Sequence, residues 1–278
     1  MLKGPSFDSG CSQFFRQPAG AADPISLAKR DLKKALPRRF YKGAWTEARD
    51  GAFVLLLDGR PAKTPKRNPI ALPSLAAAEA IAGEWAAQAE WIDPAAMPMT
   101  RIANAAIDGV ARNLGAAVEE IGKYSATDLV CYRAEGPATL VETQAAAWDP
   151  ILAFARNRIG AAFICTEGVM FVEQPKDARA AVTDALKRYA ELGAAAPFAL
   201  ASLHVMTALT GSVLIALGVA LGELSPAEAW RAAHVDEDFE IEAWGEDTQA
   251  RARRENQWRE FAAAVRLFSA ANTEESCR

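Results

Sequence analysis

Histidine is scarce in this chain: His204 and His234 are the only two among 278 residues. A zinc or iron centre built on imidazoles needs more ligands than that. A nucleophile–base pair for covalent catalysis would most naturally rest on one of the two. The four cysteines, Cys11, Cys131, Cys165 and Cys277, lie far apart with no C-x-x-C spacing. That argues against a zinc knuckle and a disulfide framework and suits a reducing compartment. Also missing are a G-x-x-x-x-G-K-[ST] phosphate loop, a G-x-G-x-x-G turn after a strand, a G-x-S-x-G elbow and an H-E-x-x-H pair. Asp236-Glu237-Asp238 lacks the glycine and the spacing of a calcium loop. Basic charge is not in surplus either, since 31 Lys and Arg against 35 Asp and Glu leave a net charge of −4. Nucleic-acid binding needs a dense basic surface and is not expected. No cofactor and no metal are expected. Phe14 and Phe15 do not make an apolar h-region, so no secretory signal is expected.

What is present points to an α+β protein, a small β-rich N-terminal domain followed by a larger, mainly α-helical domain. Residues 1–37 have no persistent apolar period and read as a poorly ordered tail. Its Arg16, Lys29, Arg30, Lys33 and Lys34 are a weak transit-peptide signal, and a bacterial extension or a start codon set too early is preferred. Residues 38–97 form the β-rich domain. Asp50-Gly51 and Asp58-Gly59 are two-residue hairpin signals flanking the apolar run Ala52 to Leu57, with Arg60 to Thr64 as a return strand. Ser74 is a helix N-cap, and the helix it starts carries Trp85. Residues 98–278 form the helical domain, with helices at about 100–123, 137–159, 175–192, 197–222, 225–243 and 245–270. Phe163 to Val172 is expected to form a β-hairpin around Glu167-Gly168.

The stretch Leu192 to Gly222 contains no Asp, Glu, Lys or Arg. Its length would cross a bilayer. Yet His204, Thr207, Thr210, Gly211 and Ser212 dilute its middle, and no aromatic belt or basic flank marks its ends. A buried helix at the centre of a helical core is therefore expected, with no membrane span. His204 is expected to be a hydrogen-bonded core histidine.

The most informative surface is Ser225 to Asp247. Ser225-Pro226-Ala227-Glu228 fits a capping box. At helical spacing Trp230, His234, Glu237, Ile241 and Trp244 share one face, and Val235, Phe239 and Ala243 the opposite one. Asp236, Asp238, Glu240 and Glu242 lie between. Glu237, in an otherwise apolar stripe, needs a partner. Either it pairs internally, with His234 or an arginine of the last helix, or it receives a cation from another protein. Glu246 and Asp247 begin the last helix, where acids suit the positive end of its dipole.

Several stretches in order resemble the assembly chaperone family for the soluble F(1) sector of ATP synthase, the branch that binds the alpha subunit. They are Arg39-Phe40-Tyr41-Lys42, Asp58-Gly59-Arg60-Pro61 with Lys63-Thr64-Pro65, and Glu84-Trp85. Next come Thr100-Arg101-Ile102-Ala103-Asn104 with Ala106-Ile107-Asp108, Tyr124 with Thr127-Asp128-Leu129, Cys131-Tyr132-Arg133 and Trp148-Asp149-Pro150. The series ends in Asp236-Glu237, Phe239, Trp244-Gly245 and Asp247. The chain departs from the family pattern at Glu240, where glutamine is usual. The resemblance implies a chaperone without enzymatic activity or cofactor. It would hold the free alpha subunit and cover its beta-facing surface until exchange, in the bacterial cytoplasm or, in a eukaryote, the mitochondrial matrix.

The partner-binding candidates are Glu237, Asp236, Glu240, Trp230, Trp244, Asp247, Arg101, Asn104 and Asp108. Arg101, Asn104 and Asp108 share one helix face and could instead cap or bridge the domains. Trp85, Asp128, Tyr132, Arg133, Trp148 and Asp149 are read as structural: the two tryptophans as core anchors, Asp128 and Arg133 as an ion pair, Asp149-Pro150 as setting a helix turn. Cys131 is read as a small buried hydrophobe. The rival is an enzyme using Glu237, Asp128 and Arg101 around an inter-domain acidic cleft. The absence of periodic apolar content in the tail generates one test. Deleting residues 1–36 is expected to leave the thermal midpoint and client binding unchanged, and a clear drop in the midpoint would contradict it.

Overall fold

The computed structural model describes residues 36–168 and 170–272. The expected tail lies outside them, apart from Leu36 and Pro37. By contacts the chain forms two compact units, Met1–Arg39 with Ala89–Ile92, and Phe40–Gln88 with Asp93–Arg278. In the small unit Arg38 bridges antiparallel to Trp91, pairs with Glu90 at 2.6 Å, and holds its guanidinium 5.6 Å from the Trp91 ring.

The large unit opens on a sheet. Strands β1 (Ala44–Arg49) and β2 (Ala52–Leu57) pair antiparallel, with Trp45 opposite Leu56 and Glu47 opposite Val54. Asp50 and Gly51 both have positive φ, 50° and 79°, the geometry of the tight hairpin turn expected there. Asp58-Gly59 turns the chain again, and β3 (Arg60–Pro61) and β4 (Ala71–Leu72) share the other edge of β2. Strand β2 is thus central and buried from Phe53 to Leu57. Helix α1 (Leu75–Ala86) packs on β1, β2 and β4. Ser74 caps it as expected, its Oγ accepting from Ala77 N at 3.1 Å while donating to Ala270 O at 2.6 Å.

Helix α2 (Pro98–Asp108) joins the sheet region to the helices. Its N-cap, Met97, has no capping side chain, and Pro98 has no N–H. Glu84 of α1 supplies the missing acceptor, taking hydrogen bonds from Met99 N (2.8 Å), Thr100 N (2.7 Å) and Thr100 Oγ1 (2.7 Å). At the other end Asp108 accepts from Thr64 Oγ1 (2.6 Å), Asn68 Nδ2 (2.7 Å) and Lys66 N (3.0 Å). Burial works to raise the Asp108 pKa, but these hydrogen bonds and the Lys66 charge outweigh it and hold the carboxyl below its ordinary value.

The remaining helices among the described residues are α3 (Leu114–Gly122), α4 (Ala138–Phe154), α5 (Lys176–Ala190), α6 (Ala196–Thr210), α7 (Val213–Ala220), α8 (Pro226–Ala233), α9 (Val235–Trp244) and α10 (Thr248–Ala271). Helix α6 is the hub, packed against α2, α3, α5, α7, α8 and α10. The architecture is the expected α+β arrangement.

Several local expectations are corrected. The helix expected over 197–222 is two helices: Gly211 turns left-handed (φ 66°), and Ser212 restarts the chain by accepting from Ile215 N at 3.0 Å. Residues Gly193–Thr210 are still long and apolar enough to cross a membrane, and 56% of that window is buried inside the protein. His204 is exposed, not in the core, because it and Ala208 share the outward side of α6. The helix expected over 100–123 breaks after Asp108 and resumes where Asn113 Oδ1 accepts from Ala116 N at 3.0 Å. The 163–172 hairpin does not form, because Thr166–Glu167 (β6) pairs in parallel with Tyr132–Arg133 (β5). Asp128 and Arg133 are not an ion pair. Asp128 is fully buried and accepts from Leu214 N (3.1 Å) and Val130 N (3.3 Å), whereas Arg133 reaches Asp149 at 2.8 Å. Cys131 is buried, and burial pushes its thiol pKa up, so it packs as an inert small side chain.

Two tests follow from these carboxylates. Burial raises the Glu84 pKa, so its value lies in accepting the α2 N–H groups rather than in its charge. Glu84→Ala is expected to cost about 2–3 kcal/mol, roughly 5–10 °C in thermal midpoint, and Glu84→Gln clearly less. Equal losses would contradict the capping role. Burial drives the Asp128 pKa from 3.8 up to about 6 against its hydrogen bonds. The folded state therefore binds this proton more tightly than the unfolded chain. The stabilisation is fully present below pH 3.8 and is lost as pH rises through about 6. It is on the order of 3 kcal/mol. Denaturant titrations should show wild type gaining on Asp128→Asn as pH falls from neutrality to about 4.5. A gap that does not move with pH would contradict it.

Candidate functional site: a groove beside an acidic helix

Helix α4 is fastened to α8 and α9 by side chains one turn apart. Trp148 is 1% exposed and donates its indole N–H to Ala232 O at 2.6 Å, near the end of α8. Gln144, also buried, accepts from Ala134 N at 2.8 Å and donates to Asp236 Oδ1 of α9 at 2.6 Å. Arg133 lies over the Trp148 ring at 5.2 Å and donates to Asp149 at 2.8 Å and to Val130 O at 3.0 Å. Asp149-Pro150 lies within α4 rather than at a turn. Pro150 has no N–H, so the Ala146 carbonyl lacks its usual intrahelical donor.

Between α4 and the α8–α9 pair lies an open groove of 590 Å³. Its apolar lining comes from Ala146, Ala147 and Pro150 on α4, with Leu224, Ala232, Val235 and Phe239 opposite. Its charged lining is Glu228, Arg231, Asp238 and Glu242, three acids to one base. Glu228 is occupied in the capping box with Ser225, as expected. Asp238 is 2.5 Å from Arg254 of α10.

Helix α9 carries five carboxylates, Asp236, Glu237, Asp238, Glu240 and Glu242, and no base. The first three lie in its first turn and complement the helix dipole; Glu240 and Glu242 lie toward the negative end and oppose it. Neither Glu240 nor Glu242 forms an ion pair among the described residues, and both are exposed.

The single apolar face expected over 225–244 is broken at His234, which ends α8 and begins α9 (φ −122°, ψ 22°) and hydrogen-bonds Trp230 O through Nδ1 at 2.8 Å. The break separates the two tryptophans. Trp230 is buried against Trp258, Phe261 and His234, with ring centroids 5.5, 5.5 and 4.0 Å away. Trp244 is 88% exposed. Glu237 has both internal partners considered for it, His234 at 3.9 Å and Arg254 at 4.0 Å, yet its side chain stays 42% exposed. Burial lowers the His234 pKa, which keeps that ring neutral near pH 7.

The other candidates lie elsewhere. Asp247 caps α10, accepting from Ala250 N at 2.9 Å. Arg101 pairs with Glu260 of α10, and Asp108 is buried under the 64–68 loop. Asn104 Oδ1 is shielded from solvent and accepts no hydrogen bond among the described residues. Trp85 is half-buried with its ring 5.6 Å from Tyr41, and Tyr132 is half-buried in β5. Glu237, Asp128 and Arg101, the enzymatic alternative, have separate partners and do not form one cluster. Among the described residues no group of three or more His, Cys, Asp or Glu is placed to hold a metal ion. Sequence reasoning missed Gln144 and the α4 wall. The available signal was the four-residue spacing of Gln144 and Trp148, which puts both on one helix face.

A family profile described as ATP12 chaperone protein matches residues 38–156. The crystal structure of a protein from Agrobacterium tumefaciens, proposed to be a chaperone, is 44% identical with a TM-score of 0.80, over 90% of this chain and 92% of that one. The crystal structure of Atp12 from Paracoccus denitrificans is 36% identical with a TM-score of 0.76, over 84% of this chain and 98% of that one. A mutant of the P. denitrificans protein matches with the same figures.

Proposed function

The chain belongs to the ATP12 chaperone family, and on that premise we propose that it is an assembly chaperone for the F(1) sector of ATP synthase. In this reading it holds the free alpha subunit and shields its beta-facing surface until the beta subunit takes its place. A newly made alpha subunit with that surface open would expose an apolar interface and aggregate. The activity is binding and release, without a reaction on the chain and without a cofactor. The relatives with solved structures are bacterial, and the chaperone would act in the cytoplasm where alpha is made.

One observation carries the assignment of the client site: the acidic helix α9 ends in an 88%-exposed Trp244, and Glu240 and Glu242 at its negative end form no ion pair among the described residues. An exposed tryptophan has apolar area to bury. Unpaired acids at that end are relieved by an incoming cation. The client segment that fits is apolar with basic residues at its margin. Glu237 lies on the Trp244 side of α9, opposite the groove-lining Val235 and Phe239, and its contacts to His234 and Arg254 are long, 3.9 and 4.0 Å.

The test separates client contact from structural ion. Trp244→Ser and Glu237→Ala should each melt within a few degrees of wild type, because Trp244 is exposed, and without Glu237 the Arg254 guanidinium still has Asp238 at 2.5 Å; each loss is at most about 1 kcal/mol. Each should protect the alpha subunit poorly in a light-scattering aggregation assay. The expected loss is about 2 kcal/mol, roughly thirtyfold in affinity. A Glu237→Ala protein that melts many degrees lower, with protection restored in the cold, would make Glu237 a structural ion. Full protection by Trp244→Ser would remove this surface from the client site.

A further inference from the structure

A second opening, of 540 Å³, shares no lining residue with the α4–α9 groove. Three segments distant in sequence build it: the approach to β1, the β2–β3 turn and the end of α1. Tyr41 organises its aromatic wall. Its hydroxyl donates to Trp85 O at 2.7 Å, and its ring lies 5.4 Å from Phe40, edge to face, and 5.6 Å from Trp85. Phe40, so held, remains 72% exposed. Leu57 of β2 also lines the cleft.

The charges of this cleft are the reverse of those in the groove. Its one acid, Asp58, already serves the backbone: Oδ1 accepts from Lys42 N at 3.0 Å and Gly43 N at 2.8 Å, and Oδ2 from Lys42 N at 3.0 Å. Its two bases, Arg60 and Lys63, are exposed and form no ion pair among the described residues. The cleft is therefore cationic on a chain of net charge −4, and Phe40 on its aromatic wall is exposed.

We infer that this cleft is a docking site for an acidic segment of a partner protein that carries a large apolar side chain. The apolar group would lie against Phe40 and the Trp85 side of the cleft, burying surface that a free protein exposes at a cost. The carboxylates would meet Arg60 and Lys63, the arginine with the two-pronged geometry that suits a carboxylate. The inference does not rest on the identity of the client proposed for the groove. If both hold, the protein grips partners through two sites of opposite sign.

The experiment uses the full chain and a dye-labelled synthetic peptide, acetyl-Glu-Asp-Phe-Asp-Glu-amide, read by fluorescence anisotropy at low salt. Controls are the same peptide with serine for phenylalanine, a Lys/Arg version, and anionic phosphatidylglycerol vesicles. The acidic aromatic peptide is expected to bind, and both altered peptides to bind at least about tenfold more weakly. Arg60→Glu with Lys63→Glu, and separately Phe40→Ser, should each weaken binding by about tenfold or more, with melts unchanged because all three side chains are exposed. Absence of binding, equal binding by the basic peptide, or undiminished binding by the variants overturns the inference. So does vesicle binding in place of peptide binding that the same variants abolish, which would reassign the cleft to a membrane surface. None of these outcomes bears on protection of the alpha subunit, which the Trp244 and Glu237 variants test.

Discussion

Helix α2 is held by a carboxylate at each end, and the joining of the sheet to the helices depends on this. At the start, Pro98 and Met97 offer neither an N–H nor a capping side chain, so the open donors of Met99 and Thr100 are satisfied by Glu84 from another helix. At the finish, Asp108 sits where the helix dipole disfavours an anion. It is kept ionised by Thr64, Asn68 and Lys66 of the loop after β3. These bonds link α1, α2 and the β3–β4 loop into one seam, to which Ser74 adds a bond to Ala270 near the end of α10. Neither carboxylate is replaceable by an apolar side chain, because each accepts from backbone N–H groups that burial would otherwise leave unpaired.

This explains what the sequence made legible and what it did not. Turns written by two adjacent residues were readable: Asp50-Gly51 and Asp58-Gly59 adopt the positive φ angles that such pairs permit. So were local caps at Ser74 and Ser225, since donor and acceptor lie three residues apart. Breaks inside apolar or amphipathic runs were not. Gly211-Ser212 and His234 interrupt patterns that keep helical period on both sides, and only tertiary packing, of α6 against α7, of α8 against α7 and of α9 against α4, decides where the chain bends. The parallel pairing of Thr166–Glu167 with Tyr132–Arg133 joins residues more than thirty positions apart, which local alternation cannot reveal. Of the candidate site, the acidity of α9 was plain, but its partner wall on α4 was not. The separation of Trp230 from Trp244 followed from the bend at His234, which spacing alone did not indicate.

The charge-free hub shows a related limit of composition. A run such as 193–210 satisfies the length and apolarity of a membrane helix. Here α6 contacts α2, α3, α5, α7, α8 and α10, and its polar residues Ser202, Thr207 and Thr210 are fully or nearly fully buried. Thr210 returns its hydroxyl to Met206 O at 2.8 Å, while Ser202 and Thr207 have no partner for theirs among the described residues. Small side chains let neighbouring helices approach closely. His204 and Ala208 then face outward without disturbing the packed side.

A chaperone that must give up its client cannot bind it with the completeness of a permanent interface, and the α9 surface is suited to that limit. An obligate interface buries a large, apolar and charge-depleted area. The groove beside α9 is instead lined by three acids and one base along with its apolar side chains. Asp238 and Glu237 are tied to Arg254, so a client cation arriving there must compete with a cation already present. On the proposed reading, that competition would lower affinity and give the complex a route to dissociation. Glu240 and Glu242 have no such competitor and would provide the attraction at first encounter, sensitive to salt because they are exposed. On the assembly reading, the permanent partner wins by burying more apolar surface than this groove offers. The chaperone then recovers its own ion pairs on release.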